Sequence, residues 1–153
     1  MASADKRFGM GRVYRDAVTQ AVMRGDRSVG TEHIALALLV DPESPTARAL
    51  GVSLATAHET LEALDRQALA WLGLDVPFPP LVSVPARQRR LRMTPAAFAV
   101  FTGLRRHAGR ERLGMRHVLL ALLAQSRPDP AAELFDALGV DRDEVRRRLQ
   151  GAS

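Results

Sequence analysis

The chain has 153 residues, 46% of them hydrophobic and 25% charged, which suits a packed core in one domain of ordinary size and excludes a disordered polymer. It has no cysteine, which excludes disulfides, thiolate metal sites and cysteine nucleophiles and fits a reducing cytoplasm. The net charge of +5 is uneven: residues 1–76 carry 8 Lys/Arg and 10 Asp/Glu (net −2), and residues 77–153 carry 14 Arg and 7 Asp/Glu (net +7).

Residues 1–11 read as an arm with Phe8 as its docking residue, and no apolar stretch of signal-peptide length follows Met1. Arg12 to Arg24 predicts the first helix, with Val13, Ala17, Val18, Ala21 and Val22 on one face, ended by Gly25-Asp26. Thr31 is the expected N-cap of a second helix, with Glu32 in its first turn, where the helix dipole favours an anion. Ile34 to Val40 is an unbroken apolar run, far short of a membrane span, and reads as a central buried helix.

Ser44-Pro45 opens a short third helix that stops at Gly51, with Pro at its first helical position. Ser53 caps a fourth running to about Leu72, with Trp71 expected to anchor its end to the core. Residues 73–93 break the pattern: Pro77, Pro79, Pro80 and Pro85, then Arg87, Arg89, Arg90 and Arg92, predict an extended connector and a candidate anion-binding strip. Thr94-Pro95 opens a helix to about Ala108, with Phe98 and Phe101 assigned to the core. Further helices are expected from Gly114 to Leu123, from Asp129-Pro130 to Gly139, and from the capping box Asp141–Glu144 to Leu149. Nothing reads as a strand.

The chain repeats itself. Gly30-Thr31-Glu32-His33-Ile34 and its Leu-rich helix return as Gly114-Met115-Arg116-His117-Val118, 84 residues later (114 minus 30). Leu50-Gly51-Val52 returns as Leu138-Gly139-Val140 at a spacing of 88, so the second copy has four more residues before that turn. The expectation is an all-α fold of eight helices in two pseudo-symmetric four-helix repeats. They form one double-repeat domain over 1–153: repeat one at 8–72, connector 73–93, repeat two at 94–150.

This order of motifs resembles the Clp N-terminal (Clp repeat) domain found ahead of the ATPase rings in ClpA- and ClpC-type unfoldases. The residues carrying the resemblance are Arg7-Phe8, Gly30-Thr31-Glu32-His33-Ile34, Thr94-Pro95 and the two Leu-Gly-Val turns, spanning about residues 6–150. The resemblance implies a monomeric, cytoplasmic, non-catalytic module that docks clients and adaptors for an ATP-driven protease. In ClpC-type members the glutamate of Gly-Thr-Glu-His-Ile helps bind phosphorylated arginine, which points here to Thr31 and Glu32. The family surface near the repeat starts also binds cyclic-peptide antibiotics, which points to Phe8, Arg12, Met93 and Thr94. A guanidinium calls for a carboxylate in a planar pair. Met115 and Arg116 replace Thr31 and Glu32 in repeat two, and an arginine repels a guanidinium, so that site is degenerate. No phosphate-cradling Gly-x-x-x-x-Gly-Lys-Ser/Thr loop occurs, so ATP chemistry lies elsewhere. The chain reads as a stand-alone decoy or adaptor, or as an excised N-domain.

His33 and His117 lack metal-spaced partners and are assigned structural roles; no metal or cofactor is expected. His58 and His107 are placed on exposed helix faces. No Gly-x-Ser-x-Gly elbow or paired-carboxylate constellation points to an enzyme. The alternative is a basic helical nucleic-acid-binding protein, suggested by the +7 second half. Aromatics make up only 5% of the chain and none interleaves Arg87–Arg92, which weighs against single-strand stacking.

Overall fold

A computed structural model describes residues 10–73 and 91–151. Phe8 and the connector arginines Arg87, Arg89 and Arg90 lie outside the described residues. In chain order the described elements are α1 Met10–Arg24, β1 Ser28–Val29, α2 Thr31–Ala37, α3 Pro45–Leu50 and α4 Leu54–Trp71 in the first repeat. In the second they are β2 Arg92–Met93, α5 Pro95–Thr102, α6 Leu104–Ala108, α7 Met115–Leu123, α8 Pro130–Leu138 and α9 Arg142–Gly151.

The helix boundaries follow local chemistry. The side chains of Ser44, Ser53, Thr94 and Asp129 each accept a backbone N–H of the following first turn, from Ala47, Thr56, Ala97 and Ala131 respectively. Pro45, Pro95 and Pro130 follow at the first helical position, where a missing N–H costs nothing. Gly51 and Gly139 end α3 and α8 at φ of 69° and 72°, left-handed conformations that explain why both Leu-Gly-Val turns keep glycine. At α9 Asp141 accepts from the N–H groups of Asp143 and Glu144, but Glu144 turns to Arg147 rather than closing the expected capping box.

The fold is all-α as expected, with two differences in detail. The helix expected from Thr94 to Ala108 is two, giving nine helices among the described residues. Gly103 ends α5 by donating to the Ala99 carbonyl, and α6 restarts as Arg106 N–H bonds the Gly103 carbonyl. Glycine is a poor helix former, and a Cβ here would sit 3.0 Å from the Ala99 carbonyl oxygen. The turn lets Leu104 and Ala108 reach the core. Second, β1 and β2 pair in parallel, with Ser28 opposite Arg92 and Val29 opposite Met93. Two residues are too few for an alternating pattern to register in a sequence.

The two repeats trade partners. Helix α1 lies on α2, and α5 and α6 lie on α7, within each repeat. Across the repeats α2 packs on α8, α7 on α3, α4 on α8 and α9 on α3, and α2 meets α7 at the centre. Ile34, Leu36, Leu38, Leu119, Leu122 and Phe135 are among the fully buried side chains at this junction.

Two aromatic assignments are corrected. Trp71 is 90% exposed, with Leu72 beside it at 74%. Helix α4 has 18 residues and its counterpart α9 has 10, and the buried residues of α4 are Ala57 and Leu61, so its last turns run past the core. Phe98 is 56% exposed, because Ala97 and Val100 form the inward face of α5. Phe101 does pack, partly buried, against the core.

Candidate functional site

The first repeat builds its polar site from a helix end and a helix start. At the end of α1 the N–H of Gly25 bonds the Val22 carbonyl and that of Asp26 bonds the Ala21 carbonyl. This paired closure, with Gly25 at φ 77°, delivers Asp26 beside the start of α2. The N-cap of α2 is Gly30, not Thr31. His33 provides the cap from inside the helix: its Nδ1 accepts the Gly30 N–H at 2.9 Å. In the neutral ring the proton therefore resides on Nε2, which donates to Asp26 Oδ2 at 2.7 Å. His33 is buried, consistent with a structural role.

A chain of charges surrounds this histidine. Glu32 Oε1 lies 3.0 Å from His33 Nδ1. The Arg24 side chain, only 7% exposed, contacts Asp26 Oδ2 through Nε at 3.2 Å and Asp65 Oδ2 of α4 through Nη2 at 2.5 Å. Burial pushes the His33 imidazole pKa down, but hydrogen bonds and charge from Asp26 and Glu32 outweigh it, so the net shift is upward. Burial pushes Asp26 up, and His33 and Arg24 reverse this to a net lowering. Burial, followed by the Arg24 charge pulling back and by Asp26 and Glu32 adding repulsion, leaves Asp65 raised.

His58 is not on an exposed face as expected. Its Nε2 meets Gln20 Oε1 of α1 at 2.7 Å, and burial followed by the Arg24 charge lowers its pKa. His107 is exposed.

The expected ligand residues fall in different places. Thr31 is 1% exposed, and its hydroxyl donates to Asp129 Oδ1 at 2.9 Å while accepting the Ala131 N–H at 3.2 Å. It joins the start of α2 to the start of α8 across the repeats. Glu32 is the group left partly accessible. The β1–β2 pairing brings Met93 beside Val29, and Thr94 N–H donates to the Val29 carbonyl at 2.9 Å. Met93 and Thr94, both partly exposed, thus flank the same loop as Glu32. Arg12 is exposed on α1. Sequence reasoning missed Arg24, Asp26 and Asp65. Asp26 had a signal, an acid on the turn just ahead of the helix start; Asp65 had none.

A family model described as the Clp repeat (R) N-terminal domain matches residues 10–125. The chain belongs to the Clp repeat family. The structure is similar to the N-terminal domain of the caseinolytic protease associated chaperone ClpD from Arabidopsis thaliana, with a TM-score of 0.65 and 16% identity over 96% of this chain and 97% of that chain. At that identity the likeness speaks for the fold, and it extends beyond the family match into α8 and α9. No curated protein matches the chain.

The two Clp repeats share a backbone device and invert its charge. In the second, Gly114 N–H donates to His117 Nδ1 at 2.9 Å, the same cap as in the first. The carboxylate facing His117 Nε2 is Glu111, at 3.4 Å. Arg116 forms an ion pair with this same Glu111. At the 84-residue offset Glu111 stands opposite Arg27, and Arg116 opposite Glu32, so acid and base have changed places. Met115, opposite Thr31, brings no hydroxyl and packs partly buried against the core. In the first Clp repeat Asp26 and Asp65 share one guanidinium, Arg24, while Glu32 lies against His33, so the carboxylates outnumber the guanidinium. In the second a carboxylate is already paired with a guanidinium. Among the described residues no group of three or more His, Cys, Asp or Glu side chains is arranged to hold a metal ion, and no helix is long and apolar enough to cross a membrane.

Proposed function

We propose that this Clp repeat domain is a non-catalytic recognition module that docks clients or adaptors for a Clp unfoldase, with one cation-recognising site at Glu32. The observation that carries the reading is the inverted charge of the two repeats. A surplus of carboxylates around Glu32 suits a guanidinium, whereas Arg116 with Glu111 presents a pair already formed. The family resemblance names phosphorylated arginine on a client as the source of that guanidinium. Met93 and Thr94 beside the same loop extend the surface for a peptide, including a cyclic one, and Thr31 holds the loop against α8 from below.

Thermal unfolding in the presence of phosphoarginine tests this. A ligand bound only by the native state stabilises it by about 2.7 kcal/mol at one hundred times its Kd. The midpoint should rise for the wild type and for Arg116→Ala, and stay put for Glu32→Ala. A wild-type midpoint insensitive to phosphoarginine sinks the assignment.

A specific observation favours nucleic acid as a second reading. Arg105 Nη1 bonds the carbonyls of Gly109 and Glu111, tying down the loop after α6. The Glu111 carboxylate turns toward Arg116, which leaves exposed Arg106, Arg110 and Arg112 without a carboxylate partner among the described residues. Three phosphate contacts give a slope of about −2.7 in log affinity against log salt. Duplex DNA binding with that slope, lost in the triple Arg→Ala variant, would support it.

A further inference from the structure

We propose that His33 competes with a bound guanidinium for the Glu32 carboxylate, so that cation binding at this site expels the imidazole proton. The inference rests on Glu32 as the cation-recognising group.

The geometry has two incompatible demands on one nitrogen. His33 Nδ1 lies 2.9 Å from the Gly30 nitrogen and 3.0 Å from Glu32 Oε1. In the neutral ring Nδ1 is a lone pair. It accepts the Gly30 N–H, and a carboxylate oxygen at the same nitrogen meets lone pair against lone pair. In the imidazolium Nδ1 carries a proton and gives up the Gly30 N–H, and Glu32 becomes its acceptor while Asp26 accepts from Nε2 at 2.7 Å. The inward position of Glu32 therefore belongs to the charged ring, and an outward position belongs to the neutral one. A guanidinium on Glu32 removes the acceptor from Nδ1 and adds a cation beside it. Both effects favour loss of the proton from Nδ1 to solvent.

The bare Cα of Gly30 makes room for the inward position. A Cβ on residue 30 would stand 2.0 Å from Glu32 Oε1, so only glycine leaves the carboxylate its seat. The other charged groups facing the ring are already committed. Arg24 of α1 holds both Asp26 and Asp65, and His58 of α4 is turned toward Gln20 with its pKa lowered. Glu32 is the one whose partner can change. The direction of the His33 shift, upward through Asp26 and Glu32 despite burial, agrees with the contact. The second repeat lacks the device, because Arg116 stands where Glu32 does and turns to Glu111.

Ring-proton NMR titration of His33, from about pH 6 to about pH 9, tests the proposal around the ordinary imidazole value. The probe is Nα-acetyl-arginine N-methylamide, whose guanidinium does not titrate there. Saturation with the probe should lower the His33 midpoint by about one unit, and probe affinity should rise with pH by at most about tenfold per unit. Binding with an unmoved midpoint and a pH-independent affinity overturns the proposal. Should neither the probe nor phosphoarginine bind, the site reading fails by itself. The His33–Glu32 contact is then read without ligand: Glu32→Gln and Gly30→Ala should each lower the His33 midpoint by about half a unit or more, with the His117 ring signals reporting an intact fold. An unchanged midpoint in both variants overturns the coupling.

Discussion

His33 Nε2 lies 2.7 Å from Asp26 Oδ2, because its other ring nitrogen is already taken by the Gly30 N–H. One buried ring thus ties the turn after α1 to the first turn of α2. The hydrogen bonds orient the imidazole, and Arg24 in turn orients Asp26. The same side chain links this loop to α4 through Asp65. A histidine in this position does the work of the usual Glu or Gln at the third helical residue, reaching back to the cap N–H.

Stability should vary with pH in a direction set by this pair. Asp26 is lowered from 3.8, so its contribution is present above 3.8 and lost as pH falls through its folded value. His33 is raised from 6.5, so its contribution is complete below 6.5 and lost as pH rises through its folded value. Asp65 is raised and works against Asp26 in acid, so the comparison must be with a variant. Urea unfolding of wild type and Asp26→Asn should show the largest gap between 3.8 and 6.5, closing on both sides. Parallel curves across the whole range would refute the assignment.

Arg24→Met should destabilise the fold by about 2–3 kcal/mol. The methionine keeps much of the apolar stem, so the loss reports the charge. Two carboxylates lose their guanidinium, but both Asp26 and Asp65 are partly open to water, which holds the cost below that of a fully buried pair. Urea unfolding checks the magnitude. A change within about 0.5 kcal/mol, the range of an ordinary surface substitution, would show that the pair contributes little.

Thr31→Val should cost about 1 kcal/mol, because the shape is kept while Asp129 loses the Thr31 hydroxyl at a buried junction and the Ala131 N–H keeps Asp129 Oδ1 at 2.9 Å. Met115→Leu, at the matching position, should cost less than about 1.5 kcal/mol, since it exchanges one apolar side chain for another of similar volume. Chemical denaturation of the two variants side by side separates the polar latch from plain packing. Equal losses would mean the hydroxyl is incidental.

Local signals were legible in the sequence, and partnerships across the chain were not. Ser44, Ser53, Thr94 and Asp129 cap their helices because a cap depends on a few neighbouring residues. Gly51 and Gly139 are left-handed for an equally local reason. Thr31 misled because its type suits a cap, while His33 reaches back and makes Gly30 the cap instead. Trp71 and Phe98 misled because burial depends on where a neighbouring helix stops. The site divides in the same way. Glu32 and His33 sit in the repeated motif. Asp65 arrives from the middle of α4, and Asp129 arrives from the other repeat. Only the packed structure places them.

On the proposed reading of Glu32, Arg116→Glu should turn one cation site into two. The variant puts a carboxylate where the first repeat has Glu32, on a backbone already capped by His117 in the same way. It also leaves Glu111 facing a like charge instead of its guanidinium, so the unliganded variant should lose about 1 kcal/mol of stability at neutral pH. That repulsion is what a guanidinium ligand relieves, so phosphoarginine should stabilise the variant more than the wild type. Calorimetric stoichiometry should rise from one to two, and Glu32→Ala in the same background should return it to one, now at the second repeat. A stoichiometry fixed at one in Arg116→Glu would mean that more than the charge at this position separates the two repeats. The absent Thr31 hydroxyl at Met115, which leaves the second loop without its latch to the opposite repeat, would then be the next difference to restore.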